Sequence, residues 1–293
     1  MSRLDVNTLK GQLLERDYDL LRSVDQYRLL TTKHLQRLHF DAAHPTPLAA
    51  ARACSRSLVR LKDLGVLRSL DRRIGGVRAG SAGFVWFLGP AGDRLLTALH
   101  DEASGRRRNY REPSRHFVDH TLAVTELAVQ AIEAGRTGAM EVLNIETEPA
   151  SWQQSLSPHG TRAWLKPDLR LVTVTAEEEF HYFIESDLAS EHLPVIVRQC
   201  EAYEAFRASG RYQAAHGLFP AVLWVVPTEA RAAALRAAVR RTRAKPGRGL
   251  PQSSERRLDP QLFTVCTADE YAAVIRGDHL PINPPGGQEG EAP

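Results

Sequence analysis

The sequence predicts a two-domain chain of mixed α+β and α/β class. A helical N-terminal domain closed by a β-hairpin precedes a domain of order α-β-β-β-α-β. Three observations predict this. Apolar residues recur at helical spacing in three successive segments before residue 65, and two β-rich runs then flank a glycine-rich stretch. A polar, basic stretch at 101–114 (DEASGRRRNYREPS) reads as a linker. Beyond it come a long helix, three strand-like runs, a helix, a fully apolar strand and another helix. The 293 residues suffice for two domains of ordinary size.

In the first domain (1–100), Tyr18, Leu20, Leu21 and Val24 mark a first helix. Thr31 and Thr32 offer an N-cap for a second, through Leu35, Leu38 and Phe40. A third runs from about 48 to 64 and is closed by Gly65, a good residue just past a helix end. Strands at 66–70 and 84–88 surround DRRIGGVRAGSAG, and a short helix at 91–100 follows. Helix–helix–helix–strand–loop–strand is the order of a winged helix-turn-helix. In the second domain (115–278), a helix at 116–134 is followed by strands at 141–146, 164–175 and 180–186. Then come a helix at 193–209, a strand at 221–227, a helix at 229–240, and a last strand and helix at 262–266 and 269–275. The loop 243–258 reads as mobile, and the tail 279–293, rich in Pro, Gly and Glu, as disordered.

Charge is unevenly spread. Residues 1–110 carry 19 Lys/Arg against 11 Asp/Glu, while the remainder carries 19 against 24. A basic half of net +8 and an acidic half of net −5 suggest one polyanion-binding part and one part with another task. No run of eighteen apolar residues is present, and the N-terminus lacks a secretory pattern, so no membrane partner is expected. The isolated Cys54, Cys200 and Cys266 form no CxxC pair and fit a reducing, cytoplasmic setting. No P-loop, dinucleotide-binding glycine fingerprint or G-x-S-x-G elbow is present.

The third helix carries the first candidate site. Leu58, Leu61 and Leu64 form an inward stripe. Arg52, Arg56 and Arg60 recur every four residues, with Ser55 beside them, so the arginines are expected in one row facing double-stranded DNA. Arg72, Arg73 and Arg78 in the loop between the strands, and Lys33 and Arg37 on the second helix, are expected on phosphates.

The second candidate site is carboxylate-rich. Asp168 follows Pro167 at the head of one strand, and the next ends FIESD with Glu185 and Asp187. Two positions apart on a strand, these two share a face. Hard carboxylate oxygens so placed suit Mg²⁺ or Mn²⁺, which can polarise a phosphodiester and activate water. The α-β-β-β-α-β order and these residues resemble the restriction-endonuclease-like PD-(D/E)xK superfamily. Gln199 and Tyr203, in QCEAY, resemble the Q-x-x-x-Y signature of one of its branches. The resemblance implies a first carboxylate at Glu126 on the preceding helix, and a lysine where this chain has Asp187. Lys166 and Arg198 are the candidates to replace that charge. His116 and His120, four apart, have the spacing of metal ligands but no third ligand, and read as structural or DNA-proximal. Trp152, Trp164 and Trp224 read as packing residues.

The whole arrangement resembles the replication-relaxation family of plasmid and mobile-element proteins of Gram-positive bacteria, over about residues 12–275. The resemblance is carried by LLERDYDLLRSVDQYRLLTTKHLQRLHF, SRSLVRLKDLGVL, FVWFLGPAGDRLL, HTLAVTEL and the block KPDLRLV…FIESDLASE…QCEAYEAF. It implies a winged helix joined to a nuclease-like domain, with E-x-D where nucleases have E-x-K. It also implies a role in replication or mobilisation, with relaxase or replication proteins, or a second copy of the chain, as partners. Three readings stay open here: a DNA-binding protein without cleavage, a Mg²⁺- or Mn²⁺-dependent endonuclease or nickase, and a winged-helix transcriptional regulator.

Overall fold

The computed structural model describes residues 6–70, 83–99, 113–156, 162–244 and 256–278. It is a mixed α/β protein of two compact units, residues 1–133 and 134–293.

The first unit opens with α1 (Val6–Lys10), which has no counterpart in the sequence reading, and α2 (Glu15–Tyr27). Strand β1 (Leu30–Thr31) leads into α3 (Thr32–His39). Thr31 Oγ1 accepts from the His34 N–H at 3.0 Å, and the Thr31 N–H returns to His34 Nδ1 at 3.3 Å. This reciprocal cap starts α3 where the sequence places it. A 3-10 turn (Asp41–Ala43) precedes α4 (Pro47–Asp63), which is capped by Thr46 and has proline at its first position. Gly65 ends α4 with φ +72°, in the left-handed region that glycine enters most easily. Strands β2 (Leu67–Ser69) and β3 (Val85–Leu88) pair antiparallel, and β1 pairs with the other edge of β3. The next helix, α5 (Pro90–Leu99), is reached through Gly89, where a Cβ would stand 2.4 Å from the Gly65 carbonyl oxygen.

Helix α6 (Arg115–Arg136) falls mostly within this first unit, not beyond the boundary that the polar stretch 101–114 suggests. Packing decides this. Val118 joins Leu29, Leu70 and Val85 in one buried cluster, and the Thr125 hydroxyl donates to the Leu29 carbonyl at 3.1 Å. A composition shift marks a chain connection, but it does not reveal on which side the next helix buries its apolar face.

The second unit is built on a five-stranded mixed sheet. Strands β4 (Glu141–Thr147), β7 (Leu169–Val174) and β8 (Glu179–Ser186) form an antiparallel meander. Strand β9 (Ala221–Val226) runs parallel to β8, and β12 (Phe263–Thr267) parallel to β9. The single strand expected at 164–175 is two. Strand β6 (Arg162–Leu165) leaves the main sheet to pair with β5 (Gln153–Leu156), and the chain breaks at Lys166-Pro167-Asp168 before β7. Pro167 lacks the N–H that a continuous ladder requires. Helices α7 (Leu193–Ala208) and α9 (Glu229–Arg241) bury Ile196, Cys200, Tyr203, Ala232 and Leu235 in one core with Phe183 and Trp224 of the sheet. The short helices α8 (Arg211–His216) and α10 (Tyr271–Val274) complete the unit, and β10 (Arg243–Ala244) pairs with β11 (Arg256–Arg257). All three cysteines are buried and free. Among the described residues no helix is long and apolar enough to cross a membrane. The tail 279–293, and most of the stretches 101–114 and 243–258, lie outside the described residues.

Candidate nucleic-acid interface and acidic cluster

Helix α4 presents two opposed faces. Ala50, Cys54, Leu58 and Leu61 are buried, while Arg52, Ser55, Arg56 and Val59 are exposed. Arg52 and Arg56 engage no partner among the described residues. Lys33 is likewise exposed, on α3. Arg72, Arg73 and Arg78 lie outside the described residues.

Two arginines expected on DNA are engaged within the unit. Four residues advance an α-helix by about 40° beyond a full turn, so the row Arg52–Arg56–Arg60 drifts by about 80°. Arg60 therefore leaves the outward face and meets α2. Its Nη2 lies 2.6 and 2.5 Å from the two carboxylate oxygens of Asp17, which is 1% exposed, and its Nη1 donates to the Gln12 carbonyl at 3.3 Å. Asp17 Oδ2 also accepts the Leu14 N–H at 2.7 Å. Arg60 is thus the counter-ion of a buried acid.

Arg37 is held in the same way. Its guanidinium reaches Glu126 at 2.7 Å and Glu133 at 2.8 and 2.5 Å, both on α6. Glu126 also meets His34 Nε2 at 3.0 Å and accepts from Gln130 at 3.0 Å. Burial opposes the Glu126 charge, but the hydrogen bonds from His34, Arg37 and Gln130 outweigh it and hold the carboxyl at about 2. The carboxylate that the superfamily resemblance offers as a metal ligand is instead the anchor between α6 and α3. The rings of His116 and His120 stack with centroids 6.5 Å apart.

In the second unit, the strand ends bring part of the expected set together. Asp168 and Glu185 are 8% and 6% exposed, and Asp168 Oδ2 accepts the Ser186 N–H at 2.8 Å. The Tyr203 hydroxyl donates to Glu185 Oε1 at 2.5 Å, placing the tyrosine of QCEAY against the glutamate of FIESD. Burial, reinforced by the Asp168 charge, pushes the Glu185 carboxyl well above the usual carboxylate range. The Gln199 side-chain oxygen is buried without a hydrogen-bond partner.

Asp187 goes elsewhere. Its Oδ2 lies 2.6 Å from Arg231 Nε of α9, and its Oδ1 accepts the Ala189 N–H at 2.7 Å. Arg231 also donates to the Glu191 carbonyl at 2.6 Å, fixing the turn after β8, where Ala189 holds φ +57°. Lys166 and Arg198, the candidates to replace the motif lysine, are placed elsewhere. Lys166 Nζ sits 4.4 Å from the centroid of Trp152, and Arg198 is exposed on α7. Nothing in the local motif points to Arg231, 44 residues downstream of its partner. Of the three tryptophans read as packing residues, Trp224 is buried, Trp152 is half-buried and Trp164 is 53% exposed.

The four carboxylates expected around Mg²⁺ or Mn²⁺ do not fit one ion. Glu126 is occupied by His34 and Arg37, and Asp187 by Arg231. Asp168 and Glu185 remain as a pair, one oxygen of each already accepting a protein hydrogen bond. Among the described residues no three His, Cys, Asp or Glu side chains are grouped to hold a metal.

The sequence model of the replication-relaxation family matches residues 21–222, which span all of α3, α4, β7, β8 and α7. No curated protein and no solved structure matches the chain. The match covers well over half of the sequence, and the chain belongs to the replication-relaxation family.

Proposed function

We propose that the protein binds double-stranded DNA through α4 and acts, without cutting, in the replication or mobilisation of a plasmid or mobile element. The observation that carries this reading is the outward face of α4, where Arg52, Ser55 and Arg56 stand exposed opposite a fully buried stripe. On this reading the first unit is a winged helix-turn-helix, with α4 entering the major groove and Lys33 on the backbone. The antiparallel order β1-β3-β2 around the three helices supports it. Membership of the family supports the biological setting.

The second unit is read as a restriction-endonuclease-like domain turned to a non-cleaving task. The ion pair Asp187–Arg231 supports this, because it puts a neutralised carboxylate where the resemblance expects the lysine of a nuclease. A relaxase, a replication protein or a second copy of the chain are the partners it would hold. The test is a pair of assays on the full chain: duplex binding across a salt series, and incubation of supercoiled plasmid with Mg²⁺ or Mn²⁺. Salt-sensitive binding with no open-circle product is expected. Absence of binding would remove the DNA reading. Nicking that is lost in both Asp168→Ala and Glu185→Ala would replace the non-cleaving reading with a nuclease.

A further inference from the structure

Val59 is an exposed apolar residue of α4 that shares the outward face with Arg52 and Arg56. It is 55% exposed, although valine is apolar and β-branched and lowers helix propensity slightly. At about 100° per residue, it lies within about 20° of Arg52 around the helix and about 60° from Arg56. It therefore stands near the centre of the outward face, about 160° and 140° around the helix from Leu61 and Cys54, which are 0% exposed. Along the axis it follows Arg56 by about 4.5 Å, little more than the rise of one base pair. An apolar side chain beside two cations fits a surface that is anionic around an apolar patch. In the major groove the apolar patch is the C5-methyl group of thymine.

We propose that Val59 is a specificity-determining residue that contacts a thymine methyl group, one or two base pairs from a guanine contacted by Arg56. The proposal rests on the reading of α4 as a duplex-DNA-binding helix and adds what the helix distinguishes. Arginine rows alone would recognise phosphates and guanine edges. Val59 adds an apolar contact that separates thymine from cytosine and from uracil.

The test begins with the full chain selecting duplexes from a random pool. Each thymine of the selected duplex is then replaced singly by deoxyuridine, which removes only the methyl group. Parent protein is expected to lose about fourfold in affinity at one thymine, the factor that burying a single methyl group corresponds to. Val59→Ala should bind the thymine and deoxyuridine duplexes alike, while Arg52→Ala should bind both more weakly and keep the fourfold ratio. Circular dichroism of Val59→Ala should match the parent, since the side chain is on the surface. Equal parent affinity for every deoxyuridine duplex would overturn the proposal, as would a ratio that survives in Val59→Ala. Retention of no duplex at all would overturn the DNA-binding reading itself, whereas retention of every duplex alike, with none enriched, would overturn the Val59 proposal alone.

Discussion

Arg60 Nη2 lies within 2.6 Å of both carboxylate oxygens of Asp17, and Asp17 is almost wholly buried. A buried acid stripped of its counter-ion is costly. Arg60→Ala is therefore expected to lower stability by about 2–3 kcal/mol, since the guanidinium is partly solvent-exposed and water can replace part of what it supplies. Denaturant unfolding measures this. Its residual DNA affinity, corrected for the folded fraction, should stay close to the parent's.

Arg52 and Arg56 should behave in the opposite way. Exposed and engaged by no partner among the described residues, they contribute little to stability. Arg52→Ala and Arg56→Ala should each unfold within about 0.5 kcal/mol of the parent. Each should weaken duplex binding, and any that contacts a phosphate should lower the slope of log affinity against log salt by about 1.

The contrast between these arginines shows what the sequence could and could not reveal. Spacing by four residues identifies a helix and a shared sector, so α4, its buried Leu58 and Leu61 and its closing Gly65 are legible, while Leu64, expected in the same stripe, is half-buried. Which arginine is available depends on the slow drift of that row and on an acid 43 residues upstream. The same holds in the second unit. The strand ends carrying Asp168 and Glu185 follow from local pattern, and the tyrosine that meets Glu185 follows from the Q-x-x-x-Y resemblance. The Asp187–Arg231 pair depends on how α9 packs on the sheet, and no local pattern encodes that. The place of α6 was illegible for a related reason: its apolar face is readable, but its partner is not.

Glu126 gives the first unit an acid-sensitive clamp. Its folded carboxyl titrates at about 2, below the unfolded value near 4.3, so its contribution is present above about pH 4.3 and disappears as pH falls through 2. Glu126→Gln should cost about 1–2 kcal/mol at pH 7. The gap between parent and variant should narrow as pH drops through that window. Thermal unfolding at several pH values measures it.

Glu185 has the reverse sign. Burial beside Asp168 raises its folded value, so the favourable contribution of its protonated form is complete below about pH 4.3 and is lost as pH rises through the folded value. Glu185→Gln keeps an acceptor for the Tyr203 hydroxyl without the charge. It should melt above the parent at pH 8, with the difference shrinking toward pH 5. A variant less stable than the parent at pH 8 would mean that the buried group is held there as the anion.

Delivery of the protein to duplex DNA by α4 is read out by a salt titration of binding. Full-length protein should bind duplex with an affinity that falls steeply as salt rises, and the Arg52→Ala, Arg56→Ala double variant should bind more weakly while melting at the parent's temperature. Parent and double variant binding duplex equally at every salt concentration would contradict it.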